Sequence, residues 1–260
     1  MSEQVILVTG AAGGIGAATC VTLASPGVSI LACERENGPD VTPVLAAIEN
    51  EGARAAAAYG DLTDPEAPAQ LVNAAIRNFG ALSGVVSNAG VPAMGWLDEA
   101  ALEDWDRAMA INLRASWLLA RAAFPHLREA KGAMVATASV SGMGPQHGMG
   151  LYNIAKCGLI MLCQTLAQEW GQFGIRVNAV SPGFVRSPLT EAIYADPEKL
   201  AARRAMVPYG RIGNPVDIAR GVAWLMSEGA DYVTGHNLVI DGGFSGTANR
   251  QITPVPRKSA

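Results

Sequence analysis

The sequence predicts an α/β protein in which a doubly wound, mostly parallel sheet carries helices on both faces, all within a single domain over residues 1–245. Three observations predict it. Short β-like runs alternate with longer helical patterns almost to the end of the chain, the order expected of repeated βα units. Several of those runs are apolar throughout rather than alternating, as parallel strands covered on both faces are. The first run is followed at once by a glycine-rich turn that opens a helix.

Taken in order, Val5–Thr9 is the first strand, Gly14–Ala24 the first helix and Val28–Cys33 the second strand. Arg54–Tyr59 is a weaker strand, because alanine is a poor strand former. Helix Pro65–Phe79 leads to a strand at Leu82–Asn88, and a long helical stretch, Leu102–Ala130, leads to a strand at Ala133–Ser139. Helix Gly150–Phe173 then precedes strand Ile175–Ser181. The segment from 184 to 209 breaks this rhythm and is expected to be a mobile flap. Asn214 caps the next helix, with Pro215 at its first position and Asp217 in its first turn before Ile218–Met226. Asn237–Ile240 is the last strand. Residues 246–260 read as an irregular tail, since Pro254-Val255-Pro256 is unsuited to a sheet.

Half of the residues are apolar, 16% are charged and the net charge is −4, so a large core is available and no basic surface for nucleic acid is expected. Arg203-Arg204 and Arg257-Lys258 are isolated pairs. The run Val5–Val8 is too short to span a membrane, and Met1–Gln4 lacks the basic region of an export signal. Cys20, Cys33, Cys157 and Cys163 fall in apolar patterns without metal-ligand spacing, which suggests buried reduced thiols and a cytoplasmic location. His126, His147 and His236 likewise show no ligand spacing, so no metal is expected.

The turn Thr9-Gly10-Ala11-Ala12-Gly13-Gly14-Ile15-Gly16 suits a pyrophosphate: glycines allow close backbone approach, and the helix N-terminus favours negative charge. Glu34, at the end of the second strand, is placed for the adenosine ribose, where a carboxylate accepts from both hydroxyls and repels a 2′-phosphate. Arg35 follows and would suit that phosphate instead. The two signals conflict, and NAD is favoured over NADP. Asp61-Leu62, after the third strand, suits the adenine edge, though an aspartate there also reads as a loop residue capping the next helix.

The clearest chemical signal is Tyr152 four residues before Lys156, thirteen residues beyond Ser139. On a helix these two side chains share a face. A nearby ammonium favours the phenolate and lowers the tyrosine pKa. Working near neutrality requires about 3–4 kcal/mol of such help, because a free phenol titrates near 10. With a serine hydroxyl on the same oxygen, this is the acid/base equipment of carbonyl reduction or alcohol oxidation.

Together these residues resemble the short-chain dehydrogenase/reductase family, over nearly the whole chain. The resemblance rests on Thr9-Gly10, Gly14-Ile15-Gly16, Asn88-Ala89-Gly90, Asn112, Ser139, Tyr152 with Lys156, Pro182-Gly183, Gly210–Pro215 and Asp241-Gly242-Gly243. It implies a Rossmann-like fold and an NAD(P)-dependent oxidoreductase. Tyr152 would be the general acid/base, Lys156 would lower its pKa and bind the nicotinamide ribose, and Ser139 would polarise the substrate oxygen. Asn112 would hold a water in a kinked helix. Asn88 and Gly90 would line the adenosine side of the cleft with Ala89. Val185 and the Ser187 hydroxyl, after Pro182-Gly183, would hold the carboxamide, although the family usually has threonine where Ser187 stands.

A small secondary alcohol or ketone is the expected substrate. The later loops supply candidate pocket residues: Met94, Trp96, Ser141, Met143, Gln146, His147, Met149, Phe184, Tyr194 and Met206. Arg186 could meet a substrate carboxylate, or simply be a flap-surface charge. Surplus apolar residues on the long helices (Trp117, Leu118, Met161, Leu162) agree with the homotetramer that the resemblance implies. Two rival functions remain open: a related epimerase or dehydratase, and a nicotinamide-sensing binding protein without turnover.

Overall fold

A computed structural model of the protein describes residues 4–187 and 190–249. Its sheet contains strands β1 (Gln4–Thr9), β2 (Val28–Glu34), β3 (Arg54–Tyr59), β4 (Gly84–Ser87), β5 (Ala133–Thr137), β6 (Arg176–Pro182) and β7 (Asn237–Ile240). The seven are parallel throughout and lie in the order β3-β2-β1-β4-β5-β6-β7. The strand order therefore reverses between β1 and β4, which opens a crevice at their C-terminal ends.

Alternate residues of each buried strand feed two separate cores. Val5, Leu7, Val85 and Met134 pack with α3 (Ala67–Phe79), α5 (Ala115–Ala130) and α6 (Gly150–Trp170). Ile6, Val8, Val86 and Val135 pack on the other face with α1 (Gly14–Leu23), α2 (Thr42–Asn50) and α9 (Pro215–Met226). Residues two apart share a face in a strand, so an unbroken apolar run serves both layers at once. The start of α9 is secured as its sequence suggests, by a capping box between Asn214 and Asp217. Asp217 also accepts both arms of Arg211.

The expected elements change in several places. The nine-residue α2 was not expected: it follows the turn-forming Gly38-Pro39 and buries only Val44 and Ile48, an i,i+4 pair. The weak strand Arg54–Tyr59 forms in full, because its ladder with β2 outweighs the poor propensity of alanine. The stretch Leu102–Ala130 is not one helix. A π-helical turn over Ala110–Arg114 separates α4 (Leu102–Met109) from α5. The flap is not structureless: it contains α7 (Glu191–Tyr194) and α8 (Pro197–Met206), the latter capped by the Asp196 carboxylate. The start of the tail forms a 3₁₀ helix over Phe244–Asn249, and its remainder lies outside the described residues. Cys20, Cys33 and Cys163 are buried free thiols, but Cys157 is exposed, since it lies on the face of α6 opposite the core.

Candidate active site

Four expected site residues meet at the C-terminal edge of β4 and β5. Ser139 follows β5 in an extended conformation and caps the 3₁₀ turn Val140–Gly142; its Oγ accepts from the Ser141 N–H at 3.1 Å. That turn can lie against α6 only because residue 142 is glycine, as a Cβ there would stand 2.7 Å from the Lys156 carbonyl oxygen. Tyr152 sits in the first turn of α6, where its N–H donates to the Ala93 carbonyl at 3.1 Å. Its phenol faces the Ser139 side chain, which favours the phenolate. One turn on, Lys156 is fully enclosed, with Nζ 5.6 Å from the Tyr152 ring centre and donating to the Thr137 carbonyl at 2.7 Å.

The electrostatics of this pair differ from the expectation. Burial pushes the Tyr152 pKa up, and the Ser139 side chain opposes it only in part. Burial pulls the Lys156 ammonium down to about 8. The reason is that both groups leave water together, so desolvation penalises each charged form. The ammonium is moreover spent on a backbone carbonyl beneath the ring.

Asn112 lies in the π turn, buried, and its amide clamps both backbone groups of Val91: Oδ1 accepts from the N–H at 3.1 Å and Nδ2 donates to the carbonyl at 3.1 Å. The side chain is thus committed to the loop after β4. Gly90 stands between it and Lys156, for a Cβ there would meet Asn112 Oδ1 at 3.0 Å and Lys156 Nζ at 3.5 Å.

The glycine turn tests whether a dinucleotide suits this chain. Gly10 has φ +63°, and a Cβ on Gly16 would stand 1.9 Å from the Gly10 carbonyl oxygen, so the turn folds tightly over the start of α1. Gly13, the N-cap, supplies no side-chain cap, and the first-turn N–H groups remain available to an anion. Asn88 braces this cradle. Its Nδ2 donates to the Thr9 and Gly10 carbonyls at 3.1 and 3.2 Å, and its Oδ1 accepts from Thr137 at 3.1 Å. Thr9 Oγ1 in turn accepts from the N–H groups of Asn88 and Ala89. Ile15 packs into the second core beneath the turn. These residues fit a pyrophosphate.

Glu34 ends β2 with its carboxylate turned toward the turn, Oε2 lying 3.5 Å from the Ala12 nitrogen. Arg35 lies close enough to Asp61 to help hold that carboxyl below its usual range, a shift due first to the Thr63 hydrogen bonds. Asp61 accepts from the Thr63 N–H and hydroxyl at 2.9 and 2.8 Å, so it closes a local turn and does not cap α3, whose N-cap position is Glu66. Leu62 packs against the first core.

Beyond β6, Pro182 ends the strand and the Gly183 N–H donates to the Ile240 carbonyl. Val185 is buried and bridges to Gly213. The Ser187 hydroxyl lies 3.2 Å from Thr190 Oγ1, which also donates to the Val185 carbonyl. Thr190, Thr137 and Val91 were not singled out from the sequence. Val91 acts through its backbone N–H and carbonyl and Thr137 partly through its carbonyl, groups that no residue type signals; Thr190 fell within the unassigned flap.

The walls of the crevice come from two loops zipped together. The Gly95 N–H donates to the Gly148 carbonyl at 3.0 Å, and the Trp96 and His147 rings meet edge to face at 4.6 Å. Behind them lies a cleft of about 430 Å³ between the β4–α4 loop, α4 and the start of α6, lined by Met94, Trp96, Asp104, Arg107 and Leu151. Ser139, Tyr152 and Lys156 do not line it. In the flap, Arg186 pairs with Glu191 at 3.6 Å and Tyr194 is buried. Among the described residues no cluster of three metal-capable side chains occurs, and no helix is long and apolar enough to cross a membrane.

A family profile described as enoyl-(acyl carrier protein) reductase matches residues 10–245. The chain belongs to the short-chain dehydrogenase/reductase family. It is 35% identical over 247 residues to 3beta-hydroxysteroid dehydrogenase 1 of Eggerthella lenta, covering 94% of this chain and 95% of that one. It is 36% identical over 246 residues to cis-4-hydroxycyclohexanecarboxylate dehydrogenase of Sinomonas cyclohexanicum, covering 94% and 97%. A solved structure from Agrobacterium tumefaciens with bound NADP superposes with a TM-score of 0.85 at 32% identity, covering 95% and 98%. The protein is therefore an oxidoreductase of this family, whose named relatives act on CH–OH groups.

Proposed function

We propose that this protein moves a hydride between NAD and a secondary alcohol or ketone carried on an aliphatic ring, with Tyr152 as the general acid/base. The observation that carries this reading is the convergence of the Ser139 hydroxyl, the Tyr152 phenol and the enclosed Lys156 at the crevice between β4 and β5. The ring-shaped substrate is supported by two of the relatives, both named for ring-borne hydroxyls. Met94 and Trp96, on the wall of the neighbouring cleft, offer apolar surface to such a ring.

A bound nicotinamide supplies the hydride acceptor or donor. In ketone reduction Tyr152 gives its proton to the carbonyl oxygen; in oxidation it removes the hydroxyl proton. Ser139 Oγ, already accepting from Ser141, has its hydrogen left for the same oxygen. Lys156, beneath the ring, stabilises the negative charge that the phenol acquires and gives a ribose hydroxyl its donor. Asn112 sets the Val91 loop and borders Lys156, where a water would link that amine to solvent.

Thr9, Gly10, Gly14, Ile15 and Gly16 form the pyrophosphate cradle, with Asn88, Ala89 and Gly90 bracing it. Asp61-Leu62 borders the adenine, while Pro182, Gly183, Val185 and Ser187 flank the carboxamide. NAD is favoured because Glu34 sits where a 2′-phosphate would lie and Arg35 is drawn toward Asp61. The NADP-bound relative makes this a matter for direct measurement. We further infer a cytoplasmic homotetramer, from the free thiols and the exposed apolar face of α5 and α6.

A screen of ring alcohols and ketones with NAD and NADP, read by nicotinamide absorbance, tests the reading. NAD-linked turnover is expected, and Tyr152→Phe should lose about 10³-fold or more in kcat while still binding cofactor. Cofactor binding without turnover of any alcohol or ketone would support a redox sensor instead.

A further inference from the structure

We propose that Gln146 is a specificity residue whose amide nitrogen donates to a second oxygen of the substrate, so that ring ketones with an additional carbonyl are preferred over those with one. This inference rests on the reading that a ring alcohol or ketone reacts at Ser139 and Tyr152.

Gln146 is fixed at both ends by hydrogen bonds. Its side-chain Oε1 accepts from the Ser141 hydroxyl at 3.0 Å. Its backbone carbonyl accepts from Asn153 Nδ2 at 3.0 Å and from the Met149 N–H at 3.2 Å. Because the amide oxygen faces the serine donor, the two Nε2 hydrogens are left to donate elsewhere.

The same serine ties this amide to the reacting centre. Ser141 donates its N–H to Ser139 Oγ at 3.1 Å, and Ser139 faces the Tyr152 phenol. One string, Ser139–Ser141–Gln146, therefore joins the hydroxyl that orients the substrate oxygen to an amide donor nearby. Ser139 and Ser141 are buried, whereas Gln146 is half-buried, so the string runs outward from the reacting centre.

Its loop is packed against the β4–α4 loop by the Trp96–His147 contact and the Gly95–Met149 bridge. A single polar group held against a ligand fixes orientation more than it adds general affinity. A loop glutamine is ordinarily free to swing, and ordering it would weaken any bond it made. Here the ordering precedes the ligand.

The test compares kcat/KM for cyclohexanone with that for cyclohexanediones bearing the second carbonyl at each other ring position. The best dione should exceed cyclohexanone about 20-fold: about tenfold for the added hydrogen bond, about 1.4 kcal/mol, and twofold for two equivalent carbonyls. Two variants remove the donor differently. Gln146→Met keeps the length without polarity, and Gln146→Glu keeps an acceptor for Ser141 but has no N–H. In both the ratio should fall to about 2. A parent ratio of about 2, an unchanged ratio in the variants, or an equal loss on both substrates would each overturn the proposal. Failure of the parent to reduce cyclohexanone or any of the diones would remove the ring-ketone reading, and this inference with it.

Discussion

At Lys156 an ammonium lies fully enclosed beneath an aromatic ring, held by the Thr137 carbonyl. Its pKa of about 8 in the folded chain, against 10.5 for the free group, means that unfolding takes up a proton between those values. Stability from this residue is therefore lowest below about pH 8 and recovers as pH rises toward 10.5, a span of about 3 kcal/mol. Lys156→Met removes that cost along with the chemistry. The variant should melt about 3–6 °C above the parent near pH 7, with the advantage shrinking by about pH 9.5, as calorimetry at several pH values would read. A constant difference across that range would mean that the ammonium is not strained by burial. The pairing of Tyr152 with Lys156 was legible because helical spacing alone puts them together. The direction of the tyrosine shift was not, since it depends on how deeply both groups are buried, and no local spacing encodes that.

Asn112 shows how an element makes a site. In an uninterrupted α-helix from residue 102 to 130, its amide would follow the regular rotation of its neighbours. The π turn at Ala110–Arg114 resets that rotation and lets both amide atoms meet Val91. Asn112→Ala leaves the Val91 N–H and carbonyl without their partner, which should cost about 2–3 kcal/mol in urea unfolding. Loosening the loop that carries Ala93, the acceptor for the Tyr152 N–H, should also lower kcat about tenfold or more while cofactor affinity changes little. A stability loss with unchanged kcat would make the latch purely structural. The long helical pattern was legible in the residues, but the kink at Asn112 only through the family resemblance, because Ala110–Arg114 has no proline or glycine to mark a break. Similarly, α2 was hidden by a single buried pair, and α7 and α8 lie on a surface segment whose polar faces give little periodicity.

The whole sheet was easier to read than its edges, since buried parallel strands leave long apolar runs and a turn after each. What those runs do not state is which outer faces are covered by other copies of the chain. Trp117 on α5 is 44% exposed and Met161 on α6 is 60% exposed, beside a groove lined by Trp117, Arg121, Phe124, Leu166, Glu169 and Trp170. Water covers such a face poorly, whereas a two-fold copy would bury it and set each Arg121 near the opposite Glu169. The two helices belong to the same core layer as the floor of the site, so assembly would stiffen the elements carrying Asn112 and Lys156. Multi-angle light scattering at micromolar concentration should therefore report a tetramer. The double substitution Trp117→Glu with Met161→Glu should yield dimers or monomers whose thermal midpoint depends less on protein concentration. A monomeric parent protein would show instead that this apolar face remains open to solvent and that the site is complete within one chain.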